Sequence, residues 1–394
     1  MGPASIDEMS REMTSKERLM TAFRRKQPDH VPACPDISVM VPAKLTGRPF
    51  YELFLDGREH NGWTSATYAE AYVDAVRHFG IDGWYIYGGL KEIRPQGAPE
   101  FVDTFIDLGD RKRVERTCRT TKGVLTEKEI YFSDEPPWRE EKPVKNLGED
   151  FERLKLWMGT GNWKWESVYK DRDRIGDLGV YVGMIPVFQD WWFNYRNGGF
   201  EQCFQDFMDE PDFMDEVHEF WMQWALAYVH AMVAAKPDEI MLGGSSASLS
   251  VSSPSIFRKY ELPFIKHASK ICKEGGIISH LHICGRSWKL VKIVASETDV
   301  DVMEPMEEPP GGDVDIAEAK RRVGNKLCIK GNINTFGFML NATPAQVEEK
   351  CKRLIDAAAA GGGFVLSTGD QCGRDTPHAN LFKMVEVAKT YGRY

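Results

Sequence analysis

A chain of 394 residues with 42% hydrophobic and 28% charged residues has enough apolar material for a large core and none of the bias that marks disorder. Its net charge of -9, with Lys and Arg scattered rather than patched, argues against nucleic acid and anionic membrane surfaces, which would repel it. Met1 to Ser15 is polar and no run of 18 apolar residues occurs, so a soluble, cytoplasmic protein is expected, with its eight cysteines as free thiols or metal ligands.

Along the chain, Thr14 and Glu17 form a T-x-x-E capping box, and Leu19, Met20 and Phe23 follow at helical spacing, which predicts a helix over about 15–26 that stops before Pro28. Eight short apolar runs then appear, at 30–36, 81–88, 178–188, 238–243, 276–283, 299–304, 326–332 and 362–368. Runs that are apolar on both faces and alternate with amphipathic helices describe parallel strands covered by helices. Eight such units close into an α/β (β/α)8 TIM barrel. Residues 98–174 interrupt the alternation after the second strand with short β-like runs and two helical segments, and are read as an insertion over the barrel mouth within one domain spanning 1–394. Thr343-Pro344 with Gln346, and Thr376-Pro377, each place a capping residue before a proline suited to a first helical turn.

In such barrels chemistry gathers at the C-terminal ends of the strands. The fifth run ends His280-Leu281-His282-Ile283-Cys284-Gly285, and period-two alternation puts His280, His282 and Cys284 on one face. Two imidazoles and a thiol pointing the same way suit zinc; a buried, hydrogen-bonded His280 and a space-filling Cys284 are the alternative. The last run ends Ser367-Thr368-Gly369-Asp370-Gln371-Cys372. A ligand set of His282, Cys284 and Cys372, with Asp370 as substitute or supporting carboxylate, leaves the open coordination position that catalysis needs. After the sixth run, Glu304, Glu307 and Glu308 offer a fourth ligand or a general acid, and Glu304, nearest the strand, is the first choice. Tyr85, Tyr87, Trp191 and Trp192 make the mouth aromatic, suited either to stacking on an aryl substrate or to packing a lid helix. No G-x-G-x-x-G, Walker or D-x-H-x-x-G corrinoid-binding pattern is present.

Glu17-Arg18-Leu19, the stretch Arg24 to Pro32, Ser253-Pro254 through Pro263 ahead of His282-Ile283-Cys284-Gly285, the Gly331-Asn332 pair, and Asp375-Thr376-Pro377 with Asn380 together resemble the uroporphyrinogen decarboxylase superfamily. The likeness covers nearly the whole chain. It is closest in kind to the methyltransferase branch, which includes methylcobalamin:coenzyme M methyltransferases and the first methyltransferase of O-demethylase systems for methoxylated aromatics. The coenzyme M enzymes hold zinc with an H-x-C pair and a distant cysteine. The resemblance carries the pair onto His282 and Cys284, puts Asp370 at the distant cysteine's position, and leaves Cys372 two residues out of register. True decarboxylases carry an R-Q-A-G-R-Y-like stretch after the first strand to bind substrate carboxylates, whereas this chain reads Pro35-Asp36-Ile37-Ser38-Val39-Met40 and has no arginine there before Arg48.

The expectation is a corrinoid-dependent methyltransferase that moves the methyl group of a methoxylated aromatic to the Co(I) of a separate corrinoid protein. Zinc serves as the Lewis acid, and Glu304 and Asp370 assist. A set poor in thiolates makes a harder ion, matched to an ether oxygen. The alternatives are methyl transfer from a corrinoid to a thiol, a metal-free decarboxylase-like lyase, and a non-catalytic sensor of aromatic ligands. Superfamily members are often homodimers.

Overall fold

The computed structural model describes residues 12–37, 39–56, 65–92, 99–159 and 163–394. Met1 to Arg11, Ser38 and the side chain of Tyr87 lie outside the described residues.

Seven parallel strands form one sheet in sequence order: β1 (Gly83–Gly88), β6 (Gly179–Pro186), β7 (Glu239–Gly243), β8 (Ile278–His282), β9 (Val302–Glu304), β10 (Cys328–Ile333) and β11 (Phe364–Thr368). The first of the eight expected runs is too short for a full strand. Pro32 and Pro35 lack the N–H groups a ladder requires, so pairing shrinks to one parallel bridge between Ala33 and Leu366. Backbone bonds from Cys34 to Leu366, Leu366 to Pro32, and Asp82 to Ala33 still join β11 to β1 and close the circle.

Alternation sorts the strand side chains into two cores. Inward-facing Trp84, Ile86, Val180, Val182, Met241, Ile278, Val302, Cys328 and Val365 pack with Leu19, Ala22 and Phe23 of helix α1 (Ser15–Phe23). These strand residues come from the beginnings of the strands, so α1 plugs the N-terminal end of the barrel. The expected capping box of Thr14 and Glu17 starts that helix. Arg18 ties the plug down: its guanidinium bonds Asp29 at 2.7 and 2.9 Å and Asp82 at 2.6 Å, and Asp82 also accepts the Ala33 N–H at 2.9 Å. The Arg18 and Asp29 of the opening motif are thus one buried clamp between the plug and the first barrel segments.

Between β1 and β6 the chain builds an antiparallel sheet of β2 (Glu100–Asp107), β3 (Arg111–Thr120), β4 (Gly123–Phe132) and β5 (Trp138–Glu141), followed by helices α3 (Leu147–Trp157) and α4 (Glu166–Ile175), with α2 (Ala66–Phe79) preceding β1. Its inner face is held by buried Arg116, which bonds both oxygens of Asp103 at 2.7 Å and Glu127 at 3.1 Å. The loop after β4 reaches the segment that follows β11, where Arg374 bonds Asp134 at 2.6 Å. That contact brings the sheet alongside the C-terminal rim of the barrel.

Thr343 and Gln346 form the expected capping box of α6 (Pro344–Ala358). The last helix, α7 (His378–Thr390), departs from expectation: Pro377 rather than Thr376 takes its N-cap, and the Thr376 side chain is buried beside Cys372. Gly331, in β10, has φ 153°, and a Cβ there would lie 2.2 Å from the Pro305 carbonyl oxygen. Only glycine lets β10 approach the turn that follows β9 this closely.

Candidate active site at the barrel mouth

A column of polar side chains rises through the barrel interior from the α1 plug to the C-terminal mouth. At its base, Glu239 and His280 are fully buried; Glu239 Oε1 accepts from Trp84 Nε1 at 3.0 Å and meets His280 Nδ1 at 2.7 Å. The Phe23 and Trp84 rings lie 6.0 and 5.1 Å from the His280 ring. His280 is therefore the buried, carboxylate-bonded histidine that the alternative reading describes, and it does not reach the mouth.

One layer higher, Lys330 is fully buried, its Nζ 3.4 Å from the centroid of the Trp84 ring and 3.6 Å from Glu304 Oε2. Glu304 Oε1 hydrogen-bonds His282 Nδ1, and the two residues are direct neighbours across the β8–β9 ladder. Burial disfavours the charged form of Glu304 most strongly, yet the Lys330 ammonium and then His282 outweigh it, and the carboxyl is held well below its usual range. Glu304 is thus ionised, with both oxygens engaged. A group that stays deprotonated has no proton to give, which corrects its expected role as general acid, and with Oε1 on His282 and Oε2 toward Lys330 it lies outside the ligand group at the mouth. It is the carboxylate that orients a histidine, a common arrangement behind metal sites.

At the mouth, the His282 side chain is 15% exposed and bonds the Cys284 thiol. Cys284, Glu307 and Asp370 each offer one ligand atom, and these atoms lie within 4.8 Å of one another. Burial raises the pKa of Glu307, with the Gly285 N–H opposing and Asp370 reinforcing the shift. One thiol and two carboxylates converge on a half-buried spot, with the His282 imidazole bonded to the thiol beside them, and this donor set fits a divalent ion of borderline softness. Asp190, in the first turn of α5 (Phe188–Tyr195), accepts the Ser246 N–H at 2.7 Å and sits within electrostatic reach of His282; burial raises its pKa.

The other sequence candidates lie elsewhere. Cys372 is fully buried behind the rim, its N–H bonded to the Asp36 carbonyl, and it does not join the ligand group; burial foremost pushes its thiol up to about 12. Tyr85 faces outward, because β1 turns Trp84 and Ile86 to the interior; its ring packs on Tyr72 of α2 and on Tyr181. Trp192 is fully buried and donates to Asp206 at 3.0 Å, in a knot where Arg196 also bonds Asp206 at 2.7 Å. Trp191 is 2% exposed and packs against Phe188 and Tyr195. These three aromatics are corrected from substrate contacts to packing of the helix layer.

The sequence reading passed over Glu239 and Lys330, and placed Asp190 at the rim without giving it a role. A lysine in the middle of the apolar run 326–332, with the inward parity of Cys328, was a readable signal; the pairing of Glu239 with His280, 41 residues away, was not.

Residues 195–391 match the family described as uroporphyrinogen decarboxylase (URO-D). The chain is 30% identical to a methylcobamide:CoM methyltransferase of Methanosarcina mazei over 385 residues, covering 96% of this chain and 99% of that protein. It is 30% identical to a methylcobamide:CoM methyltransferase of Methanosarcina acetivorans over 252 residues, 63% of this chain and 70% of that one. To a uroporphyrinogen decarboxylase of Methylobacillus flagellatus it is 25% identical over 182 residues, 45% and 48% of the two chains. A solved structure of a methyltransferase from Methanosarcina mazei superposes with a TM-score of 0.65 at 17% identity, covering 96% of this chain and 99% of the other, and shares the fold.

Proposed function

Because the chain belongs to the uroporphyrinogen decarboxylase family, on its methyltransferase branch, we propose that it transfers a methyl group from a methoxylated aromatic to the cobalt of a corrinoid carried by a partner protein. The single observation that carries the reading is the convergence of Cys284, Glu307 and Asp370 beside His282 at the open end of the barrel. A zinc ion bound there supplies Lewis acidity toward the leaving oxygen.

His282, Cys284, Glu307 and Asp370 are the residues that would hold the metal, with Glu304 orienting His282 from below. Burial raises the pKa of Asp190, the carboxyl placed at the mouth to pass a proton to the leaving phenolate. The packed lumen beneath, from Trp84 to Lys330, excludes water from the floor of the site. One sulfur among four donors makes a harder ion than a thiolate-rich set, which favours an oxygen-bound methyl group over a thiol. An aryl ether leaves as a phenolate, less basic than the alkoxide of an alkyl ether but still basic enough to need the metal or an acid to stabilise its developing charge.

A second reading is transfer from a methyl-corrinoid to a thiol, favoured by the full-length similarity to methylcobamide:CoM methyltransferases. Mixing the protein with reduced cobalamin and a panel of methoxyarenes, and separately with methylcobalamin and a panel of thiols, separates the two. Methylcobalamin formed only in the first supports the ether reading; methylcobalamin consumed only in the second replaces it.

A further inference from the structure

Lys330 is buried completely, has three N–H donors, and makes no hydrogen bond among the described residues. Burying an ammonium is expensive, and a buried Lys–Glu pair is seldom more stable than apolar residues of the same volume, so stability alone does not account for a lysine here. Its surroundings are specific. Nζ is 3.4 Å from the centroid of the Trp84 ring, which limits where the ammonium can go, and 3.6 Å from Glu304 Oε2. The other oxygen of the same carboxylate is bonded to His282 Nδ1. Glu304 is therefore clamped at both ends, by a cation on the lumen side and an imidazole on the mouth side.

We propose that Lys330 is a positioning residue for the site: by anchoring Glu304 Oε2 it aims Oε1 at His282 Nδ1, so that Nδ1 carries the proton and Nε2 is left as the ligand atom for the metal at the mouth. Without the anchor, Glu304 rotates toward other partners, and the His282 ring loses both its preferred tautomer and its angle. Second-layer groups of this kind typically alter metal affinity about 10- to 100-fold. The inference rests on the metal-site reading above, and its test tells the two apart.

The full-length chain is stripped with chelator, and its zinc dissociation constant is measured by competition with a chromophoric chelator. The tautomer of the neutral His282 ring in the metal-free protein is read at alkaline pH from the nitrogen shifts of its side chain. Lys330→Met is expected to weaken zinc binding about 10- to 100-fold and to shift His282 from the Nδ1–H form to a mixture. The double variant Glu304→Gln with Lys330→Met leaves no unpaired buried charge. It is expected to recover thermal stability without recovering zinc affinity, which separates the loss of affinity from a loss of fold. Zinc binding within twofold of wild type in a folded Lys330→Met protein, or in the double variant should the single one fail to fold, overturns the proposal. If the wild type binds no zinc, the metal reading fails, and the tautomer decides for Lys330 separately: an unchanged Nδ1–H form in the variants counts against it.

Discussion

Replacing Cys372 with alanine separates the two candidates for the third protein ligand. The thiol is fully buried and burial pushes its pKa up to about 12, so at pH 7 it is protonated. A metal would have to displace that proton and draw the sulfur out of its packing. Losing one buried sulfur without a metal role costs about 1 kcal/mol of stability, the scale of a single removed methylene-sized group. Cys372→Ala should therefore unfold in denaturant about 1 kcal/mol earlier and bind zinc as the wild type does. Asp370→Asn should change stability little and weaken zinc binding at least tenfold, because an amide oxygen replaces a carboxylate among the donors. Chelator competition on the two purified variants reads both effects. Loss of zinc from Cys372→Ala with Asp370→Asn unaffected would refute this assignment and restore the cysteine to the site.

Glu304→Gln leaves the Lys330 ammonium without its counter-charge and should cost about 3–5 kcal/mol near neutral pH, measured by denaturant unfolding. The folded-state pKa of Glu304 lies below the ordinary value of 4.5, so its stabilisation is present above that value and is lost as pH falls through it; the gap between wild type and variant should narrow on acidification, and a constant gap contradicts the pairing. Trp192→Phe removes the bond to Asp206 and should cost about 1–2 kcal/mol while leaving KM for the methyl donor unchanged; a raised KM would return the indole to the substrate site. Gly331→Ala should destabilise by at least about 2 kcal/mol, since its Cβ would meet the Pro305 carbonyl at 2.2 Å, and a neutral substitution there would show that the close approach is not needed.

The barrel was legible because apolar runs at regular spacing are a collective signal, and seven of the eight runs form strands. The eighth, at 30–36, is the instructive departure: its two prolines cut the ladder to a bridge, though the circle still closes. The capping chemistry of Thr14 and Thr343 is local and was read correctly; that of Thr376 was overridden by burial beside Cys372. Within the site, the shared face of His280 and His282 follows from alternation, but their different fates follow from height in the barrel. Glu239 takes the lower histidine and Glu304 the upper, and those pairings depend on register between strands distant in sequence. The aromatic residues misled because composition cannot tell a ring facing the lumen from one facing the helices. One residue of parity in β1 exchanges Trp84 for Tyr85.

The donor set at the mouth is read directly by the zinc-edge X-ray absorption spectrum of the loaded protein. One sulfur at about 2.3 Å and nitrogen or oxygen donors at about 2.0–2.2 Å are the expected shell. Two or more sulfurs, or a protein that takes up no metal, would contradict it.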